Sequence, residues 1–237
     1  MPNTGKIALI SALFLTPSAY AAEGDSQWNG EAELGIVSTS GNTETSTINL
    51  NTKLENVREQ WKLLFLFNSL HSSSKDNSTA ERYVLVAKSD YKIDADSYAF
   101  GRASYEDDRF SGFEYQATEV LGYGHKIIQE PTLKLDFEGG PGMRQSKVAN
   151  TSSENEGILY LSGNLKWDIS PTALFTEDLY TEIGEDITIT KSVTGLKSQI
   201  NGDLAMKITF TAKHTSKVPA LKKKVDTETA ISLVYNF

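Results

Sequence analysis

The chain has 237 residues, with 23 basic and 31 acidic side chains and a formal net charge of -8. This acidic balance differs from that of nucleic-acid-binding proteins, which present a basic surface. The absence of cysteine excludes disulfides, thiol catalysis and zinc sites with cysteine ligands. Aromatic residues make up 10% of the chain, too many for a disordered protein. We therefore expect a folded protein with no nucleic-acid partner.

The first segment, residues 1–21, has the pattern of a secretory signal peptide. Lys6 precedes an apolar stretch at residues 7–15, and small residues surround Ala21. This order of basic, apolar and small residues predicts cleavage after Ala21 and export across the inner membrane. After this segment, no apolar run approaches the roughly 20 residues of a membrane-spanning helix. Residues 22–237 are predicted to form one domain.

Apolar and polar residues alternate with a period of two through this domain. The clearest segment places Leu204, Met206, Ile208 and Phe210 on one face. Only an extended strand gathers these side chains on one face, so the pattern predicts a β-strand. Misreading the weakest segments would give ten or fourteen strands instead of twelve. In chain order, the twelve predicted strands begin near Trp28, Thr45, Trp61, Arg82, Ser97, Glu114, Leu133, Leu159, Ala173, Thr188, Leu204 and Thr227.

The connections between these strands fall into two classes that alternate along the chain. Tight connections are predicted at residues 56–60, 94–96, 129–131, 169–172 and 201–203, where Asn201-Gly202 is a strong hairpin signal. Longer, polar connections are predicted at residues 38–44, 71–79, 107–113, 145–156, 183–187 and 215–226. Outer-membrane barrels have this asymmetry, with short periplasmic turns and longer outer loops. The pattern predicts an all-β fold, a single antiparallel up-and-down transmembrane β-barrel of about 12 strands in the bacterial outer membrane, with both termini in the periplasm.

Strand length and aromatic placement point to the same fold. Many segments have the roughly ten residues with which a tilted strand crosses a bilayer. The three tryptophans fall at the tight-turn end, which predicts an interfacial aromatic girdle. A soluble sandwich, or a soluble periplasmic barrel that binds an apolar ligand, is the alternative. The predicted girdle residues are Trp28, Trp61, Trp167, Tyr91, Tyr98 and Phe237.

Several strings in the chain resemble a known bacterial family. They are WNGEAELG at residues 28–35, SGNT at residues 40–43, FGRASYEDDRFSG at residues 100–112 and GGPGMR at residues 139–144. The family has no established function, and its members are labelled salt-induced outer membrane proteins. The resemblance covers nearly the whole domain and implies an outer-membrane barrel associated by name with salt stress. It implies no substrate and no catalytic residues. The glycines at residues 139–142 are read as a bend or bulge in a strand.

The last strand carries Thr229, Ile231, Leu233, Tyr235 and Phe237 on one face. This strand resembles the C-terminal targeting strand of bacterial outer-membrane barrels. The resemblance implies recognition by the barrel-assembly machinery through the strand ending in Phe237.

If the apolar faces point to lipid, the opposite faces collect charges of both signs in the lumen. Such charges cost several kcal/mol each when buried dry, so they must be paired or hydrated. Barrels of about eight strands fill with side chains, whereas those of sixteen or more hold water channels. For a barrel of twelve strands, a narrow pore and a lumen plugged by salt bridges are therefore two alternatives. The predicted lumen-lining residues are Glu31, Glu33, Lys53, Lys62, Arg82, Lys88, Asp90, Arg102, Lys134, Asp136, Glu138, Lys166, Asp178, Lys191 and Lys207.

The sequence predicts a narrow pore for small solutes or ions, or a structural barrel linked to salt or osmotic stress. No residue is predicted to act in catalysis or to bind a metal or cofactor. The alternative function is a surface hydrolase that acts on lipid or peptide through residues near Glu106 to Arg109, or through His71. The basic run Lys222, Lys223 and Lys224 is predicted to contact outer-membrane lipid, namely lipopolysaccharide phosphates.

Overall fold

The computed structural model describes most of the chain as strands and short turns. The predicted signal peptide lies outside the described residues. Among the residues that the structure describes, no helix is long and apolar enough to cross a membrane. The described residues are 27–40, 46–74, 77–108, 111–148 and 151–237.

These residues form one closed barrel in which each strand runs antiparallel to its neighbours. The strands follow one another in chain order around the wall, and β1 pairs with β12 to close it. This arrangement confirms the predicted twelve-stranded up-and-down barrel. The strands are β1 (Gln27–Ser40), β2 (Ser46–Val57), β3 (Trp61–Ser74), β4 (Asn77–Lys92), β5 (Ser97–Asp108), β6 (Phe113–Gln129), β7 (Leu133–Val148), β8 (Ser153–Ser170), β9 (Ala173–Gly184), β10 (Thr188–Asn201), β11 (Leu204–Thr215) and β12 (Val225–Asn236).

The two ends of the barrel differ, although less in loop length than the sequence predicts. The tight turns lie where expected, and we call this the tight-turn end. At the other end, β3 continues to Ser74 and β4 begins at Asn77, so most of the loop predicted at residues 71–79 is strand. The loop predicted at residues 145–156 is also mostly strand. Both segments are mostly polar in sequence, so alternation does not reveal that the strands continue through them.

Apolar side chains cover the outward face of the wall. Trp28, Trp61 and Trp167 are each about half exposed and lie at the tight-turn end, as expected for a girdle at the membrane interface. The girdle assignment of Tyr98 is wrong, because its ring points into the barrel and is 6% exposed. Tyr98 pairs with Lys92, whereas Tyr91 pairs with Ala99. This offset of one residue places the two tyrosines on opposite faces.

The seam between β1 and β12 is completed by main-chain and aromatic contacts at the tight-turn end. Gly30 N donates to Phe237 O at 2.6 Å, and Phe237 N donates to Gly30 O at 2.9 Å. The Phe237 ring covers Gly30 so closely that a β-carbon there would lie 2.2 Å from ring atom Cε2. Glycine is therefore required at this position for the ring to lie against the first strand.

Candidate functional site: the barrel lumen

The strand register directs a set of charged side chains into the lumen. Near the tight-turn end, Lys197 Nζ lies 2.8 Å from Glu31 Oε2, and Lys207 Nζ lies 2.5 Å from Glu33 Oε1. Asn51 Nδ2 also donates to Glu33 at 3.3 Å. These contacts join β10 and β11 to β1 and β2 across the interior, so the charges on this side of the lumen are largely neutralised in pairs.

A second group of charges surrounds a cavity at the same end. Lys62 Nζ lies 3.2 Å from Glu55 Oε2, and Lys53 Nζ lies 3.7 Å from the same atom. The cavity has a volume of about 380 Å³ and is lined in part by Glu31, Lys53 and Glu55. Its size and charged lining suit bulk water, so the tight-turn end of the lumen is open to solvent.

The remaining predicted lumen charges near this end lie on β7, β8 and β9. Lys134 and Lys166 occupy one rung of the β7–β8 ladder, and both are exposed. Asp136 Oδ1 accepts a hydrogen bond from Gln129 Nε2 at 3.0 Å. Asp178 pairs with Asn164 in the β8–β9 ladder and is also exposed. Water reaches these groups, which accounts for their weak pairing.

One wall of the lumen is packed rather than open. We call the buried residues Tyr98, Phe100, Val120, Ile158 and Tyr160 the aromatic cluster. Small residues behind this cluster make room for it, because a β-carbon at Gly122 would lie 2.6 Å from Phe100 Cε1 and one at Gly124 would lie 2.3 Å from Tyr98 Cζ. The register is the same before and after these glycines, with Val120 opposite Gly142 and Tyr123 opposite Gly139, so residues 139–142 form no β-bulge toward β6, and the predicted bend stays a prediction. Those glycines instead let β6 and β7 and the rings approach closely.

Charged groups lie over and between these rings. Lys88 Nζ lies 2.9 Å from Asp90 Oδ1, forms a close ion pair with Glu138, and sits 5.3 Å from the centre of the Tyr98 ring. The Tyr98 hydroxyl donates to Glu138 Oε1 at 2.7 Å. Arg102 Cζ lies 5.4 Å from the centre of the Tyr160 ring. The predicted lumen residues on this wall therefore hold the rings in place.

The most buried charge in the barrel is Arg144, whose side chain is 0% exposed. Its guanidinium lies 2.5 Å from Glu156 Oε1 and 3.2 Å from Glu182 Oε2, and it also donates to Ile187 O. Sequence reasoning did not select Arg144 as a lumen residue. It lies an even number of residues from Asp136 on β7, so strand parity alone could have placed it on the inward face.

A third group of charges lies at the other end of the lumen, which faces outward if the tight turns are periplasmic. Here Lys213 Nζ lies 2.8 Å from Glu106 Oε1, and Arg82 Nη2 lies 2.7 Å from Glu228 Oε2. Lys213 is on β11 and Glu106 is on β5, six strands away around the wall. A lysine and a glutamate cannot span a round barrel of twelve strands, so the barrel is flattened between β5 and β11.

These groups surround a recess that we call the outer vestibule. It has a volume of about 70 Å³, and its lining includes Leu70, Arg82, Glu106, Lys191, Lys213 and Val218. The volume holds several water molecules. Lys191 and Lys213 face each other in one rung of the β10–β11 ladder.

The loop of residues 216–224 crosses the mouth above this vestibule. Val218 lines the vestibule, and the Cγ atoms of Pro219 and Lys222 lie 3.0 and 3.2 Å from where a β-carbon at Gly112 would sit. Gly112 is in the β5–β6 turn, opposite β11, and its φ of 91° requires glycine. Lys223 and Lys224 are exposed. The predicted lipopolysaccharide contacts thus belong to a loop that folds inward over the lumen.

The residues of the alternative hydrolase are not brought together. His71 is exposed on the outward face of β3, whereas Glu106 points inward and is bonded to Lys213. A serine–histidine contact does occur at the tight-turn end, where His125 Nδ1 lies 3.3 Å from Ser97 Oγ. The Tyr123 hydroxyl donates to the same Ser97 oxygen at 2.8 Å. Within the described ranges, no group of three or more histidine and carboxylate side chains is placed to hold a metal ion.

Solved structures share this fold. The NanC porin superposes with a TM-score of 0.57 at 10% identity, covering 86% of this chain and 98% of the other. The KdgM porin in complex with disordered oligogalacturonate superposes with a TM-score of 0.51 at 11% identity, covering 87% of this chain and 99% of the other. The translocator domain of the autotransporter NalP from Neisseria meningitidis superposes with a TM-score of 0.51 at 12% identity, covering 91% of this chain and 90% of the other. The barrel is thus of the bacterial outer-membrane type.

Sequence comparison gives a closer relationship. The chain is 28% identical over 210 residues to the uncharacterized protein YdiY of Escherichia coli (strain K12), covering 88% of this chain and 83% of that protein. A family described as "Protein of unknown function, DUF481" matches residues 32–237. The chain therefore belongs to the DUF481 family of bacterial proteins of unknown function.

Proposed function

We propose that the barrel is a narrow passive channel for small solutes or ions across the outer membrane. The observation that carries this proposal is the pair of recesses, one at each end of a lumen lined by charges. A barrel with a purely structural role has no need of charges along its interior, because apolar packing stabilises it at least as well. The channel would select by size and charge.

The likeness to the NanC and KdgM porins supports this proposal at the level of architecture. The KdgM porin is solved in complex with disordered oligogalacturonate, which is consistent with a channel role for the present barrel. The lumen of this chain is narrow in one direction, because the Glu106–Lys213 pair spans its short axis and the aromatic cluster fills one wall. We therefore propose a small solute for this channel.

Conductance in a planar bilayer tests the channel. The full-length protein, isolated from outer membranes in detergent, should give discrete steps. The double variant Glu106→Gln and Lys213→Gln removes the ion pair across the outer vestibule at constant net charge, and we expect its steps to be larger. Lys217→Gln, in an exposed part of the loop, is the matched control and should conduct like the unchanged protein. A folded barrel that gives no steps in any variant would overturn the proposal.

Four further assignments accompany the channel. The family label suggests that the channel serves under salt stress. The exposed lysines at residues 223 and 224 would attract lipopolysaccharide phosphates, and Phe237, at the end of an amphipathic strand, would present the barrel-assembly signal. Residues 1–21 would act as the cleaved signal peptide. Expression at two salt concentrations, and crosslinking from each position, test these assignments separately.

A further inference from the structure

The loop of residues 216–224 is fastened at one side of the outer mouth and packs against the other side. At the β10 side, Ser216 N donates to Thr188 O and Thr188 N donates to Ser216 Oγ, both at 2.9 Å. At the opposite side, the Cγ atom of Lys222 lies 3.2 Å from where a β-carbon at Gly112 would sit. The loop therefore has a hydrogen-bonded foot and a tip that reaches across the mouth.

The tip of this loop contains a strained residue. Leu221 has a φ of 71°, and no other non-glycine residue in the described part of the chain has a positive φ. The β-carbon makes this left-handed conformation unfavourable for leucine. The Leu221 side chain is 104% exposed, so its packing does not offset the strain. The tip is thus held in a conformation that its own backbone disfavours.

Opposite charges face each other across the mouth. Among the described residues that line the outer vestibule, five carboxylates outnumber three cations, which gives the vestibule a net charge of -2. The loop above it carries four lysines and no acidic residue. Three of these lysines lie at the tip, at residues 222–224, whereas Lys217 at the foot lies 3.7 Å from Asp186. Attraction between the basic tip and the acidic vestibule therefore favours the inward position of the loop. The five carboxylates are Glu81, Glu106, Asp108, Asp226 and Glu228.

We propose that the loop of residues 216–224 is a lid that opens and closes the outer vestibule. This inference rests on the proposed channel function and names the element that controls entry to the channel. The structure described above is the closed position. In the open position, Leu221 leaves the left-handed region and the tip separates from Gly112, while the bonds between Ser216 and Thr188 remain as the hinge. Salt screens charges over distances of about 10 Å at 0.1 M and about 3 Å at 1 M, so a higher ionic strength should favour the open position.

Substitutions at Leu221 should shift the lid in opposite directions. Leu221→Gly removes the strain of the closed position, because glycine adopts a positive φ readily. Leu221→Pro excludes the closed position, because the proline ring fixes φ at a negative value. Ala220→Gly is the matched control, since Ala220 has no positive φ, and it should behave like the unchanged protein.

A thiol beneath the lid reports its position, because the chain contains no cysteine. Thr211→Cys lies in the lining of the outer vestibule, and Asn29→Cys, in the cavity at the tight-turn end, is the control. The measurement is the rate of labelling by a biotin maleimide, on the full-length protein in detergent. At residue 211 we expect labelling about fivefold faster with Leu221→Pro and about twofold slower with Leu221→Gly. Labelling at residue 211 should also be faster at about 1 M salt than at about 0.1 M, whereas labelling at residue 29 should not change.

The outcomes separate the lid from the channel. Equal labelling rates at residue 211 with Leu221→Pro and Leu221→Gly would overturn the lid, as would an equal change at residue 29, which would indicate a loosened barrel. A rate that responds to the substitutions but not to salt would support the lid and overturn its electrostatic closure. Because labelling requires no conduction, the expected rates in a barrel that gives no conductance steps would overturn the channel and leave the lid in place.

Discussion

Arg144 and Lys191 are two lumen-facing cations in the same barrel, and their surroundings are opposite. Arg144 is fully buried beside the aromatic cluster and bonds to two carboxylates and a carbonyl. Lys191 lines the outer vestibule and bonds to no described residue. The first cation holds neighbouring strands together, whereas the second has no bonded carboxylate. The comparison shows that two inward cations of one barrel can differ in structural role, and that their partners decide the difference.

The largest expected effect comes from removing the buried cation. Arg144→Met leaves Glu156 and Glu182 without their main partner, and we expect a loss of about 3 to 5 kcal/mol in the free energy of unfolding. Lys191→Met, the matched control, removes an unpaired charge and should change stability little or raise it. Urea unfolding in lipid vesicles measures both. Equal losses of unfolding free energy in the two variants would contradict the distinction between the paired Arg144 and the unpaired Lys191.

The glycine-lined wall behind the aromatic cluster provides the next test. A β-carbon at Gly140 would lie 2.1 Å from Leu121 O, a backbone atom that cannot move away without separating β6 and β7. We expect Gly140→Ala to lower the free energy of unfolding by about 1 to 3 kcal/mol. Gly157→Ala is the control, since no atom lies within 4 Å of its β-carbon position. Unchanged stability in Gly140→Ala would show that this wall is loosely packed.

A smaller effect is expected at the pair across the outer vestibule. Glu106→Gln, Lys213→Gln and the double variant form a double-mutant cycle, and we expect a coupling energy of about 0.5 to 3 kcal/mol. This coupling connects β5 and β11, which face each other across the lumen. The same unfolding measurement yields it. A coupling of zero would mean that the flattened cross-section does not persist in the membrane.

The smallest effect concerns pH at a tight turn, outside the membrane-spanning strands. Asp94 Oδ1 accepts hydrogen bonds from the backbone N–H groups of Asp96 at 2.9 Å and Ser97 at 2.7 Å, and these bonds lower the pKa of Asp94 below its ordinary value. The stabilisation is complete above the ordinary aspartate pKa and is lost as the pH falls through the lowered one. Unfolding midpoints of the unchanged protein and Asp94→Asn should therefore converge on acidification. Glu130→Gln, in another tight turn, should show no such convergence.

The fold could be predicted because the sequence pattern of a membrane barrel depends on residues that are close together in the chain. Alternation along Leu204 to Phe210, and turns such as Asn201-Gly202, need only neighbouring residues to be recognised. The face of Tyr98 was predicted wrongly because it depends on a one-residue offset across the β4–β5 turn, which local alternation does not determine. Loop lengths were overestimated because the strand ends at residues 71–79 and 145–156 are mostly polar and do not alternate.

The site was harder to predict from the sequence because its contacts join residues that are far apart in the chain. Glu106 and Lys213 are separated by 107 positions in the chain, and their contact requires the flattened cross-section. That flattening depends on how the walls pack together, which no local pattern encodes. The inward direction of Arg144 could have been predicted, since strand parity places it on the inward face. Its burial could not have been predicted, because burial depends on Glu156 and Glu182 from two other strands.

The β1–β12 seam determines the order in which the barrel can be assembled. Each of the other ladders joins strands that are consecutive in the chain, whereas this ladder joins Gly30 to Phe237. Until β12 arrives, β1 has an unpaired edge of N–H and C=O groups and an apolar outward face, which together favour aggregation. Closure must also overcome the loop entropy of the whole intervening chain. An unclosed barrel therefore exposes this edge to other chains until its last strand is in place.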